Sequence, residues 1–263
     1  MKLAIVTPVS VIDRTPLTGY HMVLAQLLHR PKYLTFFRNI RQTDPGCVLI
    51  LDNGAAEGGT VTPGELLAAA SDLKPDIIVV PDDIDSASHT LVLAKRFLES
   101  SVWAAYSEVH PDVKLMMVPH GYSILLWVDS LRGLLTLDPD VIGIAKAHAR
   151  LAHSSAIVGR LELVRLVQEH RDLPVHLLGL ASNPIELLAI AWSELSTCVL
   201  GVDTALPWVL AQRNLALENH GMVQRNALWH SDEEHADFGL TQLALAQHSS
   251  MILRAFTEGS IPC

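Results

Sequence analysis

The sequence predicts one α/β domain, a (β/α)8 barrel of the TIM type. Three observations predict it. Short apolar runs recur along the chain and end repeatedly on a polar or charged residue, helical stretches with start signals lie between them, and 263 residues with 49% hydrophobic content match one barrel with a large core. A doubly wound sheet shares this grammar of alternation, but the length is typical of one barrel.

The first strand is Leu3-Ala4-Ile5-Val6-Thr7-Pro8, followed by a loose segment from Asp13 to Thr18. Cys47-Val48-Leu49-Ile50-Leu51 is next, and it ends on Asp52-Asn53-Gly54-Ala55-Ala56-Glu57-Gly58-Gly59. A buried parallel strand reads as such an apolar run, and a carboxylate at its carboxyl end stands where α/β folds place their chemistry. Asp-Asn-Gly is also good turn chemistry. The pattern then repeats. Asp76 to Pro81 leads into Asp82-Asp83, Lys114 to Pro119 into His120-Gly121, and Val141 to Ala145 into Lys146, while Val175 to Leu180 and Cys198 to Val202 complete the series with Asp203 at its end. That makes seven strands. The eighth is expected within residues 216 to 229, around Gly221-Met222-Val223.

Helical spacing of apolar residues fills 65 to 71, 87 to 98, 122 to 135, 156 to 167, 185 to 195 and 238 to 256. Thr62-Pro63-Gly64-Glu65, Asn183-Pro184-Ile185-Glu186 and Ser231 with Glu234 each supply the residues of a capping box. The three cysteines, Cys47, Cys198 and Cys263, have no paired spacing, so neither a disulfide framework nor a thiolate zinc site is implied. The N-terminal apolar run is too short for a signal peptide and no run reaches membrane-spanning length, so a cytoplasmic protein without membrane partners is expected.

A net charge of −9 argues against a protein that coats nucleic acid through phosphate neutralisation, yet leaves room for a local basic groove. Residues 29 to 41 interleave cations, including Arg38 and Arg41, with Tyr33, Phe36 and Phe37, a mixture suited to backbone contact and base stacking. Lys146 and Arg150, in a cluster with His148 and His153 past the fifth predicted strand, form a second candidate, and Arg213 is a further cation past the last strand. A solvated helix face would read the same way.

The strand ends, taken in order over about residues 47 to 226, resemble a known family: Asp-x-Gly with small residues, Pro-Asp-Asp, Val-x-x-Gly, Gly-Ile-Ala, His-Leu-Leu-Gly-Leu-x-x-Asn-Pro and Gly-Val-Asp. The family is the tRNA-guanine (queuine) transglycosylases, (β/α)8 barrels that exchange a guanine base in nucleic acid for a 7-deazaguanine. The compact chain is most similar to the shortened branch of phages and bacterial DNA-modification clusters, which acts on DNA guanine. The resemblance implies a DNA (or tRNA) guanine site and a free 7-deazaguanine such as preQ0 (7-cyano-7-deazaguanine) as partners, with no metal, redox cofactor or ATP. It places the protein in the cytoplasm, that of the host if a phage encodes it, and leaves oligomeric state and partner proteins open.

Carried over by position, the resemblance makes Asp52 the general acid/base for the base's proton, with Asn53 and Gly54 beside it in the pocket. Asp82, with neighbouring Asp83, reads the guanine-like edge through its two N–H donors; Gly143, Ile144 and Ala145 offer backbone to the substituent of the incoming base; Leu178 packs on the base. Three departures stand out. Ala55-Ala56-Glu57 replaces Gly-Phe-Gln, so an aromatic lid is missing, and His120 enters where the family has Val-Gln-Gly-Gly. The family's nucleophilic aspartate falls on Leu206, leaving Asp203 as the nucleophile, unless that residue only caps the next helix. The family's zinc motif is also absent, and His230 and His235 are five residues apart, off a shared helix face. Two other readings follow from these departures: a non-catalytic binding subunit of the same fold, and a barrel hydrolase in which Asp52, Asp82, Asp83, His120 and Asp203 gather a metal.

Overall fold

The computed structural model describes residues 1–57, 61–180, 184–215, 217 and 238–259. Within them eight strands form a single parallel sheet: β1 (Lys2–Ile5), β2 (Tyr20–Leu24), β3 (Val48–Asp52), β4 (Ile77–Val79), β5 (Lys114–Met117), β6 (Val141–Ala145), β7 (Val175–Leu178) and β8 (Val199–Thr204). Their spatial order, β1-β8-β7-β6-β5-β4-β3-β2, brings the last strand back to the first. β1 also lies beside β2, but among the described residues no ladder register joins these two. The result is a nearly closed (β/α)8 barrel with a single seam.

All seven apolar runs form strands, because a strand covered on both faces must be apolar on both. Leu49, Ile50 and Leu51 have no exposed surface, and each such side chain contributes about 1.5–3 kcal/mol through burial. The eighth strand corrects the expectation. It is β2, second in the chain, rather than a segment of 216 to 229, which apart from residues 217 lies outside the described residues. Every residue of β2 is buried, but its first two, Tyr20 and His21, carry polar atoms that hide the apolar signature. Asp52 therefore ends the third strand, and every later strand end moves up by one.

Outside the strands run α1 (Pro31–Thr43), α2 (Pro63–Leu73), α3 (Ala87–Leu98), α4 (Ser101–Val109), α5 (Ile124–Leu135), α6 (Ala156–His170), α7 (Ile185–Ala191), α8 (Leu206–Gln212) and α9 (Leu240–Thr257). The Thr62–Glu65 capping box forms in both directions at the start of α2, satisfying two backbone donors that the helix itself cannot. The boxes at Asn183 and Ser231 lie outside the described residues, as do His230, His235 and Cys263. α9 packs on α7, α8 and β1. No helix among the described residues is long and apolar enough to cross a membrane.

The aromatic–cationic stretch 29 to 41 needs correction. Tyr33 and Phe37 are buried in the core and meet edge to face at 4.9 Å, so they seal α1 onto the barrel and offer no stacking surface. Arg41 pairs with Asp76 at 2.5 Å and donates to the Cys47 carbonyl at 3.2 Å, which sets it beside the starts of β3 and β4. Arg38 pairs with Asp72 of α2 at 2.8 Å. Arg213 follows α8, at the end of that helix remote from the carboxyl end of β8. Helices in βα units run back along the strands, so residues late in a helix reach the opposite face from the strand ends.

His21 projects outward onto Phe37, with ring centroids 6.2 Å apart, and its Nδ1 has no partner among the described residues. Burial pushes its pKa down from 6.5 to about 4. The unfolded chain binds this proton first, so the stability is present above pH 6.5 and is lost as pH falls towards 4. Urea unfolding followed over this window should show a loss of up to about 3 kcal/mol from this group, and His21→Leu should flatten the profile by that share. An unchanged profile in the variant would rule out His21 as the source.

Candidate active site

Because the strands are parallel, their carboxyl ends share one face. Asp52 ends β3, Asp82 and His120 stand three residues past β4 and β5, Lys146 follows β6, and Asp203 is the next-to-last residue of β8. The expected gathering on one face is therefore present. Three of them stand in two hydrogen-bonded groups on that face, Asp82 with His120 in one and Asp203 in the other.

The first group is built on Asp82. Its Oδ1 accepts from Asn53 Nδ2 at 2.7 Å, and its Oδ2 lies 2.5 Å from His120 Nε2. Asn53 also donates to the Val80 carbonyl at 2.9 Å and accepts from the Ala55 amide at 2.8 Å. Its side chain is thus fully engaged, and it fixes Asp82 rather than facing a pocket. Asp82 and His120 are both buried, and the Ser130 hydroxyl accepts the His120 amide at 3.2 Å. The His120 ring meets His148 edge to face at 5.3 Å, and neither Nδ1 has a partner among the described residues. Burial, with smaller effects from His120 and Arg160, pushes the His148 pKa down to about 4. It is a neutral ring near pH 7. Asp83 turns away from this group. It pairs with His89 at 2.7 Å and accepts the Asp85 amide at 3.0 Å, and these bonds, the His89 bond first, hold its carboxyl below the usual range.

The second group is built on Asp203. Its Oδ1 accepts from His176 Nε2 at 3.1 Å and from the Gly179 amide at 2.9 Å. Among the described residues no donor reaches Oδ2, and the side chain keeps 15% of its surface exposed. Behind it, His176 Nδ1 lies 2.7 Å from the Tyr20 hydroxyl. Burial, followed by the Asp203 charge, pushes the Tyr20 pKa up. A Cβ at Gly201 would stand 2.6 Å from the Tyr20 ring, so only glycine leaves space for it. Asp203 does not cap the next helix; the Thr204 hydroxyl accepts the Leu206 amide at 3.1 Å instead.

The remaining predicted positions fall around these groups. Asp52 is half-buried, and its Oδ2 accepts the Gly54 amide at 3.1 Å, in a turn with Gly54 at φ 78°. Gly143 lies inside the barrel, where a Cβ would come within 3.0 Å of Leu178 and 2.9 Å of Val118. Ile144 is fully buried and Ala145 half-buried. Lys146 is exposed and lies across Gly179, its Nζ 3.3 Å from where a Cβ would be, which brings a cation next to the Asp203 group. Arg150 is exposed just beyond it. A cavity of about 500 Å³ opens beside His120, lined by Ile84, Asp85, Ser86, Tyr122, Leu126 and Ser130 among others.

Sequence reasoning missed Tyr20, His176, Arg160 and Glu186. Arg160 has no exposed surface and pairs with the equally enclosed Glu186 at 3.3 Å. Its guanidinium donates to the carbonyls of Ile144 at 2.7 Å, Leu178 at 3.0 Å and Gly179 at 2.5 Å, joining the carboxyl ends of β6 and β7. The signal was present: Arg160 stands on the buried face of α6 with Ala156, Leu163, Val164 and Val167.

No family model matches the chain, and no curated protein matches it. Fold and site therefore define the class by themselves: a TIM-type barrel with paired carboxylate and imidazole groups at the carboxyl ends of its strands. The metal-hydrolase reading needs Asp52, Asp82, Asp83, His120 and Asp203 in one cluster. Among the described residues no three His, Cys, Asp or Glu side chains are placed to hold a metal ion.

Arg160→Met should leave the buried Glu186 carboxylate without its guanidinium and remove the donor from three carbonyls. The expected cost is about 3–5 kcal/mol of unfolding free energy by urea denaturation. A loss below about 1 kcal/mol would show that the ion pair does not organise these strand ends.

Proposed function

We propose that this protein is a base-exchange glycosyltransferase that replaces guanine in nucleic acid, DNA in preference to tRNA, with a free 7-deazaguanine such as 7-cyano-7-deazaguanine. The observation that carries the reading is the state of Asp203, held through Oδ1 by two N–H donors while, among the described residues, none reaches Oδ2. A carboxylate anchored by one oxygen can attack an anomeric carbon with the other, as in retaining glycoside chemistry. That no side chain, Asp203 included, caps α8 removes the simplest structural role for this aspartate.

The target nucleotide leaves its stack. Asp203 Oδ2 forms a bond to C1′, the C1′–N9 bond breaks, and its electron pair goes to N9 of guanine, which takes a proton from the Asp52 carboxyl as it departs. The product is a glycosyl ester. The incoming 7-deazaguanine gives its N9 proton to Asp52, attacks the same carbon, and returns the ester's bonding pair to Asp203. Asp82 supports recognition of the base: a carboxylate suits a guanine-like edge with two N–H donors, and each of its oxygens retains acceptor capacity beyond the bonds to Asn53 and His120. Lys146 and Arg150 are exposed cations on this face that suit contact with phosphate.

The test uses an oligonucleotide with labelled guanine, and separately labelled tRNA, each incubated with the protein and 7-cyano-7-deazaguanine. Wild type should release label from DNA, Asp203→Asn should release none, and Asp52→Asn should be slower by about 10²–10⁴-fold with its fold intact. Wild-type rates in Asp203→Asn would overturn the assignment. Tight binding of base and nucleic acid without release would instead select the non-catalytic subunit.

A further inference from the structure

We propose that Tyr20 and His176 are positioning residues that hold Asp203 for attack by locking one tautomer of the His176 ring. The proposal rests on the reading of Asp203 as nucleophile. An ionised carboxylate only accepts hydrogen bonds, so the 3.1 Å contact between His176 Nε2 and Asp203 Oδ1 requires the proton on Nε2. A neutral ring then has a bare Nδ1. The Tyr20 hydroxyl, 2.7 Å away, donates into it. The other tautomer would set the lone pair of Nε2 against that of Oδ1. Tyr20 thus selects the tautomer, and the tautomer fixes Oδ1 while Oδ2 remains available.

The surroundings leave little competition. Tyr20 and His176 are both buried, and Gly201 provides the space that the Tyr20 ring fills. The charged groups around the chain are few. The Arg160 guanidinium, its pKa lowered by burial against the charges of Glu186 and Asp203, is one, the Lys2 ammonium lies 5.7 Å above the Tyr20 ring, and Lys146 crosses Gly179. None of them is hydrogen-bonded to Nδ1, whose partner among the described residues is Tyr20.

Tyr20→Phe should slow guanine release by about ten- to a hundredfold, and His176→Phe should slow it at least as much. His176→Gln, whose amide can still donate to Oδ1, should recover part of the lost rate. A purely structural role would leave His176→Gln as slow as His176→Phe. Nitrogen-15 NMR of the His176 ring supplies a readout that needs no turnover: the Nε2–H form in wild type and a mixture in Tyr20→Phe. Wild-type rates in both Tyr20→Phe and His176→Phe, or an Nδ1–H ring in wild type, would overturn the proposal alone. No guanine release by wild type overturns the reading of Asp203, and the positioning role falls with it.

Discussion

The active face depends on how one carboxylate is held. Asp203 stands near the end of β8, and its Oδ1 is pinned from two directions by atoms of β7 and the turn after it. The partner behind it, Tyr20, comes from β2, on the far side of the seam where β1 and β2 lack ladder bonds. The hydrogen-bonded chain Tyr20–His176–Asp203 therefore does two things. It ties β2 to β7 inside the barrel across the open seam, and it aims a carboxylate at the mouth. Buried networks of this kind hold a single geometry when every member is satisfied.

A second buried interaction sets the frame for the first. Arg160 joins the carbonyl ends of β6 and β7, and the turn it holds includes Gly179, whose amide reaches Asp203. Burial lowers the pKa of this guanidinium, and the charges of Glu186 and Asp203 oppose that fall. The Asp82–His120–His148 group is different in kind, a buried carboxylate shared between an amide and an imidazole, with a neutral ring beside it. The two groups divide the proposed labour, one presenting a nucleophile and the other supporting recognition of the base.

Much of the fold was legible because parallel strands in a barrel are covered on both faces. That constraint left seven apolar runs in plain view, and the same constraint placed Asp52, Asp82, His120 and Asp203 on one face before any coordinates. β2 was not legible, since Tyr20 and His21 look like poor strand residues until their burial is known. The phenol is tolerable there only because His176, 156 residues away, accepts its proton. The hydrogen-bonding partners of Asp82 and Asp203 were hidden for the same reason, as they come from other strands. Arg38 and Arg41 misled because a mixture of aromatics and cations reads alike whether the rings face solvent or core. The direction of α1 decides the matter, and it points these residues away from the strand ends.

The central claim is that Asp203 forms a covalent bond to the sugar through its unanchored oxygen. The most direct measurement is mass spectrometry of wild type quenched in denaturant after incubation with a guanine-containing oligonucleotide and no incoming base, followed by peptide mapping. The account predicts a protein–nucleic acid adduct that has lost one guanine and maps to the Asp203 carboxylate. An adduct on another residue, or guanine exchange with no covalent species at any time, would contradict it.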